Sequence, residues 1–482
     1  MTIKKTVHVI LFLLITAALA LTACRKDEFN TDPGFELGFS NDTVIFDTVF
    51  TTIGSVTQQL VIRNSGKNKI NISKIKLARG VSSPFRINID GTATEAYENL
   101  EIGANDSAYI FVKVTIDPNN VNTPFIESDS IVFETNGNLQ NVKLVAWGQD
   151  AYFHLNEVLT GNITLPVDKP HVIYGTLTAK KDCNLTLAAG TKMYFHSSSS
   201  LEILSGASLK VEGTLELPVT FTDDRLEEYY RDKPGMWNGI WLENGSRNNN
   251  FTYAFITNAI VGIQADSSGL VNGDTLLLHN CEIHNMTNYG LRATNARVFA
   301  TNCQITNCGG NVVSIENGGN YDFRNCTLAR YFVGKGYPAL SISNYTTDTA
   351  GKVLLPGGAL TGAYFGNCII TGNQVNEIEL LELPGTEFNF SFDYCLVNWD
   401  KSKYPKKGYE SKFTNCIENE EAKFIDPNQN NFELDTLSVA INAASWNIIN
   451  NWVPSITLDI KGASRITNGL PDMGTFERVE KH

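Results

Sequence analysis

The feature that most constrains this chain is a short pattern that returns six times between residues 279 and 416. Each copy sets a cysteine directly after Asn or Tyr and before residues that favour strands: Cys281, Cys303, Cys326, Cys368, Cys395 and Cys416. Successive cysteines are 22, 23, 42, 27 and 21 residues apart. A unit this short cannot bury a core of its own, so the copies must stack on one another. We interpret the gap of 42 residues as two coils, the second of which lacks its cysteine.

The pieces between the cysteines are short, β-rich and separated by Gly and Asn, which supply the positive φ values that sharp corners need. This predicts a parallel β-helix over residues 151–460, with three strands in a coil of about 22 residues and roughly ten coils. Because strand side chains alternate between interior and surface, we expect the cysteines to form an inward column of small apolar groups, with Asn at the preceding turn. Disulfide bonds are the alternative in an exported protein, and Cys303 with Cys308 is the first pair to check.

The start of the chain has the parts of a secretory signal, with Lys4 and Lys5 before an apolar run that is short for a membrane span. The run ends in Leu-Thr-Ala-Cys24, which resembles the lipobox of bacterial lipoproteins. The resemblance implies a lipoprotein signal peptide at residues 1–23, a lipid on Cys24 and a lipidated tether at residues 24–40. An ordinary signal peptide with a chance cysteine is the alternative.

The charged residues Arg-Lys-Asp-Glu that follow Cys24 resemble the signal that sends some lipoproteins to the outer face of the outer membrane. We therefore expect a protein held at the membrane by its lipid anchor, in the cell outer membrane and facing the cell exterior. A solvated charged tether is the alternative. The formal net charge of −13, without a basic patch interleaved with aromatic residues, disfavours a nucleic-acid partner.

Residues 41–150 contain about seven short strands with period-2 alternation, separated by turn signals such as Asn-Ser-Gly and Asn-Gly-Asn. This pattern predicts an Ig-like β-sandwich. The order of Val61–Gly66, Leu100–Gly103 and the closing Leu144–Gly148 resembles the Ig-like domains of the ASPM/SPD-2/Hydin type. The resemblance implies a structural or interaction role and no catalytic residue.

Two further segments resemble bacterial right-handed parallel β-helix proteins, a group that includes pectate-lyase-like enzymes and surface lipoproteins. The first is the Trp-Asn-Gly-Ile-Trp-Leu run at residues 237–242, and the second is the Pro-Asp-Met-Gly-Thr-Phe-Glu run at residues 471–477. The second implies a C-terminal cap segment at residues 461–482, which we expect to cover the unpaired edge of the last coil. We also expect a short helix within residues 437–453. The complete prediction is an all-β chain: an Ig-like β-sandwich, then a right-handed parallel β-helix with a C-terminal cap.

Catalytic motifs of β-helix enzymes are sparse. One Asp-Asp pair occurs, and neither Gly-His-Gly nor Arg-Ile-Lys is present. The best candidate surface is the insertion at residues 223–241, because carboxylates beside aromatic rings suit sugar binding. Its candidate ligand-binding residues are Asp223, Asp224, Arg225, Tyr229, Tyr230 and Trp237. The alternative is a charged loop along the side of the β-helix, with Trp237 packed in the core.

His279, Glu282 and His284 form a small cluster around one of the repeated cysteines. On a strand, Glu282 and His284 share one face and His279 lies on the other, so a metal site would require a bulge. We therefore expect no metal, no catalytic residue and no cofactor.

The function that these features favour is a non-enzymatic, surface-exposed lipoprotein whose β-helix binds a polysaccharide or a cell-surface glycan. A polysaccharide lyase or glycoside hydrolase acting along the β-helix face is the first alternative. A purely structural envelope protein is the second.

Overall fold

The computed structural model describes residues 28–119, 124–267, 275–332, 336–348, 351–354, 357–404, 407–450, 456–466 and 469–479. Within these residues the chain divides into two compact units, with the boundary between Asp150 and Ala151. The signal segment 1–23 and Cys24 lie outside the described residues. The described secondary structure is nearly all strand, with one short α-helix, α1 (Trp446–Asn450), inside the segment where a helix was predicted.

The N-terminal unit is an Ig-like sandwich of two five-stranded sheets. Each of the seven predicted strands lies within an observed one, and the core residues occupy alternate positions, such as Leu60 and Ile62. The strands are β1 (Gly38–Phe39), β2 (Thr43–Phe50), β3 (Gln58–Asn64), β4 (Ile70–Leu77), β5 (Phe85–Ile89), β6 (Thr92–Thr94), β7 (Ala96–Ile102), β8 (Asp106–Val114), β9 (Phe125–Thr135) and β10 (Asn138–Gln149). Their order is β1-β3-β8-β5-β6 in one sheet and β2-β10-β9-β4-β7 in the other.

The second unit is a right-handed parallel β-helix, which confirms the predicted fold class. Its strands stack into three parallel ladders, which we call A, B and C in the order in which the chain passes through each coil. Ladder A contains eleven strands and therefore about ten turns of the helix. Its strands are Tyr152–Leu155, His171–Tyr174, Lys192–Phe195, Val219–Asp223, Ala254–Thr257, Glu282–His284, Gln304–Thr306, Thr327–Arg330, Ile369–Gly372, Leu396–Val397 and Ile417–Glu418.

Ladders B and C are joined into one sheet because two long strands, Tyr289–Thr301 and Val313–Arg324, bend and contribute a half to each. The other strands of ladder B are Val158–Leu159, Thr176–Ala179, Ser200–Ile203, Trp237–Leu242, Ala259–Asp266, Leu340–Ser343 and Ile378–Leu381. The other strands of ladder C are Asn162–Leu165, Asn184–Ala188, Ser208–Glu212, Asn250–Thr252, Leu276–His279, Leu360–Gly366, Ser391–Asp393 and Phe413–Thr414.

The corner between ladders C and A explains the repeated Asn-Cys pattern. The residue before each cysteine has a left-handed backbone, with φ between 50° and 54°, which Asn tolerates better than most residues. The next residue then points into the interior. Five of the six cysteines are fully buried, and Cys416 at the last coil is half-buried. All are free thiols, as is Cys308, so the column is apolar packing, and burial raises the pKa of Cys281 through Cys395.

One prediction about this column was wrong. The 42-residue gap is a single coil, because the strand Thr327–Arg330 pairs directly with Ile369–Gly372. The described residues in excess of one coil lie in loops outside the ladders, which include the hairpin of Thr346–Thr347 with Val353–Leu354. These loops contain short apolar and Gly-rich pieces that resemble a coil in sequence.

The C-terminal segment, by which we mean the described residues from Ala422 to Phe476, lies along the outer face of ladder A. Outward-facing Ala329, Ile369 and Leu396 of that ladder are buried beneath a layer that includes Phe424 and Met473. This layer contains α1 and the hairpin Phe424–Asp426 with Asn431–Leu434. Residues of the segment 461–482, which we expected to cover the edge of the last coil, therefore pack against the side of earlier coils.

Arg465 and the Pro-Asp-Met-Gly-Thr-Phe-Glu run at residues 471–477 hold this layer in place. Thr475 exchanges hydrogen bonds with Thr327 of ladder A, at 2.9 and 3.0 Å, and donates one to the Cys303 carbonyl at 2.8 Å. Arg465 is fully buried and donates to the carbonyls of Gly474 and Thr475, both at 2.9 Å. The run at residues 471–477 therefore anchors the C-terminal segment to ladder A.

The interior at the last coil is closed by aromatic rings. Phe323, Phe365, Phe392 and Phe413 stack from coil to coil with centroid separations of 5.1, 4.9 and 4.6 Å. Trp399 then stacks on Phe413 at 4.0 Å. These rings cover the apolar interior where no further coil follows.

Candidate functional site

The insertion predicted as a candidate site connects the ladder A strand Val219–Asp223 to the ladder B strand Trp237–Leu242. Asp223, the last residue of the first strand, is buried and points away from solvent. Its carboxylate accepts hydrogen bonds from the Arg225 N–H at 3.1 Å and the Asn258 side chain at 2.9 Å. Burial raises its pKa, and these bonds partly oppose the rise. Asp223 therefore organises the start of the insertion and is not exposed to a ligand.

Asp224 and Arg225 lie on the side of the β-helix. The Asp224 carboxylate contacts His196 Nδ1 at 2.8 Å. Burial raises the pKa of Asp224. Arg225 pairs with Glu227 at 3.2 Å, and its guanidinium lies over the Tyr230 ring at 3.9 Å. Contacts among the charged and aromatic residues of the insertion, and one contact with His196, therefore stabilise its conformation.

The two remaining aromatic candidates differ in exposure. Tyr229 is 71% exposed and meets the edge of Tyr230, whereas Trp237 is fully buried. The Trp237 ring stacks on Phe195 at 4.1 Å and donates its indole N–H to the Thr257 carbonyl at 2.8 Å. Trp237 is therefore a core residue, and the prediction that it binds a ligand was wrong.

The insertion forms one wall of a groove of about 410 Å³ on the outer face of ladder A. We call this the ladder A groove. It is lined by Tyr194, Thr220, Phe221, Thr222, Asp223, Arg225, Leu226, Arg231, Asp232, Phe255, Thr257, Asn258 and His284. Of this lining, only Asp223 and Arg225 were predicted from the sequence to bind a ligand. Tyr194 and Phe255 carried a signal that was missed, because each is aromatic at an outward position of a strand whose neighbours point inward.

Glu282 and His284 share the outward face of one ladder A strand, as the strand pattern predicted. Burial lowers the pKa of His284 to about 4 and raises that of Glu282 to about 7, with Lys461 partly opposing the second shift. Among the described residues no group of His, Cys, Asp and Glu has the geometry to hold a metal ion.

The outer face of ladder B brings together residues that the sequence did not reveal. Glu202, Trp241, Gln264 and Arg292 occupy one register position on four consecutive coils. A second row, two residues further along each strand, contains Asp266 and Glu316, and Glu243 lies beside it. We call these two rows the ladder B face.

The ladder B face is acidic and carries the aromatic side chain of Trp241. Burial raises the pKa of Glu243, and the carboxylates of Asp266 and Glu202 raise it further. Arg292 is held by Glu316 through two hydrogen bonds of 2.9 and 2.8 Å. Gln264 is 2% exposed; its amide donates to Asp266 at 2.5 Å, and its carbonyl oxygen has no hydrogen-bond partner in the described part of the chain.

Within the described residues, no helix is long and apolar enough to cross a membrane. Cys24, the predicted lipidation site, lies outside those residues.

The chain matches no protein-family model and no curated protein. Solved structures with similarity include the pectate lyase Pel9A, at 10% identity over 68% of this chain and 96% of that one, with a TM-score of 0.30. A PapD-like domain of human CEP192 is 12% identical over 25% of this chain and 87% of that one, with a TM-score of 0.17. A Porphyromonas gingivalis protein of unknown function is 12% identical over 27% of this chain and 60% of that one, with a TM-score of 0.18.

Proposed function

We propose that this chain is a lipid-anchored protein of the outer membrane whose β-helix binds a glycan along the ladder B face without cleaving it. The observation that carries the proposal is the position of Trp241, half-buried between Glu202 and Gln264 on adjacent coils. A flat aromatic ring beside carboxylate and amide groups suits a sugar, whose apolar face packs on the ring while its hydroxyls form hydrogen bonds.

The length of the row supports an extended ligand. Neighbouring strands are about 4.8 Å apart, so the side chains from Glu202 to Arg292 extend over roughly 14 Å. A ligand that follows the row would contact consecutive coils in the same way. The row therefore fits a polysaccharide better than an isolated small molecule.

The charges favour a neutral glycan and disfavour lyase chemistry. Glu202, Glu243 and Asp266 would repel a polyuronate, and no described cluster on the chain is arranged to hold a bridging metal ion. A lyase also requires a basic side chain that can remove a proton, whereas Arg292 is fixed by Glu316.

The test is binding of the full-length protein, in detergent, to immobilised neutral and acidic polysaccharides. We expect the wild-type protein to bind a neutral glycan, and Trp241→Ala to weaken binding by at least about tenfold, equivalent to about 1.4 kcal/mol. Tyr109→Ala, which removes an exposed ring from the Ig-like unit, is the matched control and should bind normally. Equal loss in both variants, or binding only to acidic polysaccharides, would contradict the proposal.

A glycoside hydrolase is the second candidate, because Glu243 has a raised pKa and lies beside two further carboxylates. A general acid with a raised pKa and a second ionised carboxylate are the groups that glycosidases use. Incubation with the same polysaccharides distinguishes the two functions. New reducing ends that disappear in Glu243→Gln would establish hydrolysis, whereas binding without products supports the non-enzymatic protein.

The anchor and location require their own test. We expect the wild-type protein to partition into detergent and to be removed from intact cells by protease. Cys24→Ala should abolish the detergent partition while leaving the folded units intact. Protection from protease in intact cells would contradict surface exposure and favour the structural envelope role.

A further inference from the structure

The ladder A groove lies where the outer face of ladder A is not covered by the C-terminal segment. In later coils that face is buried, as the hydrogen bonds between Thr475 and Thr327 show. In the earlier coils the outward residues Tyr194, Thr222 and Phe255 line an open cavity of about 410 Å³. This volume lies within the roughly 300–1,000 Å³ typical of small-molecule sites.

The lining combines aromatic rings with hydroxyl groups. Tyr194 and Phe255 supply the rings, and Thr220, Thr222 and Thr257 supply hydroxyls from neighbouring strands. The Thr257 hydroxyl donates to the Thr222 hydroxyl at 2.9 Å, so these groups form a connected polar row. A ligand with one apolar face and several hydroxyls would match both parts of the lining.

The imidazole ring of His284 contributes a polar atom that is free to bond to a ligand. Its Nδ1 is buried and has no hydrogen-bond partner within the described part of the chain. Burial lowers the pKa of His284 to about 4, and the nearby Asp232 carboxylate only partly opposes this shift. The ring is therefore neutral at physiological pH, where it can donate or accept one hydrogen bond according to its tautomer.

The charges of the lining exclude a strongly anionic ligand. Arg225 pairs with Glu227, and Arg231 pairs with Glu228, so each guanidinium group already has a carboxylate beside it. The exposed Asp232 carboxylate then leaves the lining negative. A carboxylate or phosphate would be repelled, whereas a neutral hydroxyl can donate a hydrogen bond to Asp232.

We propose that the ladder A groove is a binding site for a neutral hexose-sized saccharide, separate from the ladder B face. The sugar ring packs on Phe255, and its hydroxyls bond to Asp232, His284 and the threonine row. Thus the two faces bind independently, and the groove accepts a single sugar or the end of a chain.

The test titrates the full-length protein with glucose, galactose and mannose and, separately, with galacturonate, and follows binding by isothermal calorimetry and ligand-observed NMR. We expect at least one neutral sugar to bind at least tenfold more tightly than galacturonate. Asp232→Asn and Phe255→Ala should each weaken that binding by at least fivefold. Tyr229→Ala, on the exposed tip of the same insertion, is the matched control and should bind normally.

The proposal is overturned if no neutral sugar of the panel binds, or if galacturonate binds as tightly. It is also overturned if the exposed Asp232→Asn, which is the variant least able to disturb folding, leaves affinity unchanged. Trp241→Ala tests independence from the ladder B face: unchanged affinity for the sugar supports a separate site, and lost affinity overturns it.

Discussion

Two sets of aligned residues run along this β-helix, and they differ in almost every physical respect. The thiol column, from Cys281 to Cys416, points inward, is free of charge and has almost no contact with water. The ladder B face, around Trp241, points outward and concentrates carboxylates. Both rows of residues exist because the strands of each coil pair in register with those of the coil before.

The difference shows how a solenoid separates stability from recognition. Inside, a repeated residue must fit between identical neighbours, so the column tolerates only small apolar groups. Outside, alignment brings side chains from distant parts of the sequence into one row, and their chemistry is free to vary. Substitutions in the thiol column should therefore change stability, and those on the ladder B face should change binding.

The largest expected effect is at the corner before the thiol column. Asn367 has φ of 53° and exchanges hydrogen bonds with Ser445 at 2.8 and 3.0 Å. We expect Asn367→Ala to lower the free energy of unfolding by about 3 kcal/mol, through backbone strain and lost buried bonds. Asn415→Ala has the same backbone strain at an exposed corner and should cost only about 1 kcal/mol.

Chemical denaturation followed by tryptophan fluorescence measures both values. Equal costs at the two corners would show that the strain alone matters. The hydrogen bonds between Asn367 and Ser445 of the C-terminal segment would then contribute nothing to the free energy of unfolding. This would contradict the expectation that buried hydrogen bonds are costly to lose.

The sequence predicted the thiol column because its signal is local: an Asn that tolerates positive φ, a cysteine after it, and a spacing of one coil. It did not predict the ladder B face, because Glu202, Trp241 and Gln264 are separated by unequal lengths of chain. Their alignment depends on where each insertion leaves the coil. For the same reason a long insertion after Thr327–Arg330 resembled an additional coil.

The candidate insertion illustrates the same limit. Its composition marked residues 223–241, of which only residues 224–236 lie outside the ladders, and composition does not give orientation. Asp223 and Trp237 lie at the ends of ladder strands and turn inward, whereas Tyr229 lies at the exposed tip. The residues that complete the ladder A groove, including Phe255 and His284, come from the next two coils.

A smaller effect is expected within the thiol column itself. Cys326→Ser places a hydroxyl among fully buried apolar groups and should lower the free energy of unfolding by about 2 kcal/mol. Cys416→Ser, at the half-buried end of the same column, should change it by less than about 0.5 kcal/mol. Similar values at both positions, measured by the same denaturation, would mean that burial does not decide the cost.

Glu282 tests an outward residue that is nonetheless buried. Its pKa is raised to about 7 from 4.5, so the folded protein retains the proton more readily than the unfolded chain. The resulting stability is present below about pH 4.5 and is lost as the pH rises through 7. Glu282→Gln should therefore match the wild-type protein at pH 4.5 and exceed its free energy of unfolding by about 1.5 kcal/mol at pH 7.5.

Thermal and denaturant unfolding at several pH values measure this difference. A gap between Glu282→Gln and the wild-type protein that does not vary with pH would contradict it. Glu98→Gln, an exposed residue of the Ig-like unit, is the control and should show no such trend.

The smallest effect is expected on the ladder B face. Arg292 and Glu316 form a bidentate pair, but both side chains remain partly exposed, at 38% and 18%. Pairs of this kind contribute little to stability because solvent and salt screen the attraction. A double-mutant cycle with Arg292→Ala and Glu316→Ala should give a coupling free energy of about 0.5 kcal/mol, reduced further in concentrated salt. A coupling as large as the cost of Cys326→Ser would remove the contrast, because the outer rows would then stabilise the fold as strongly as the inner column does.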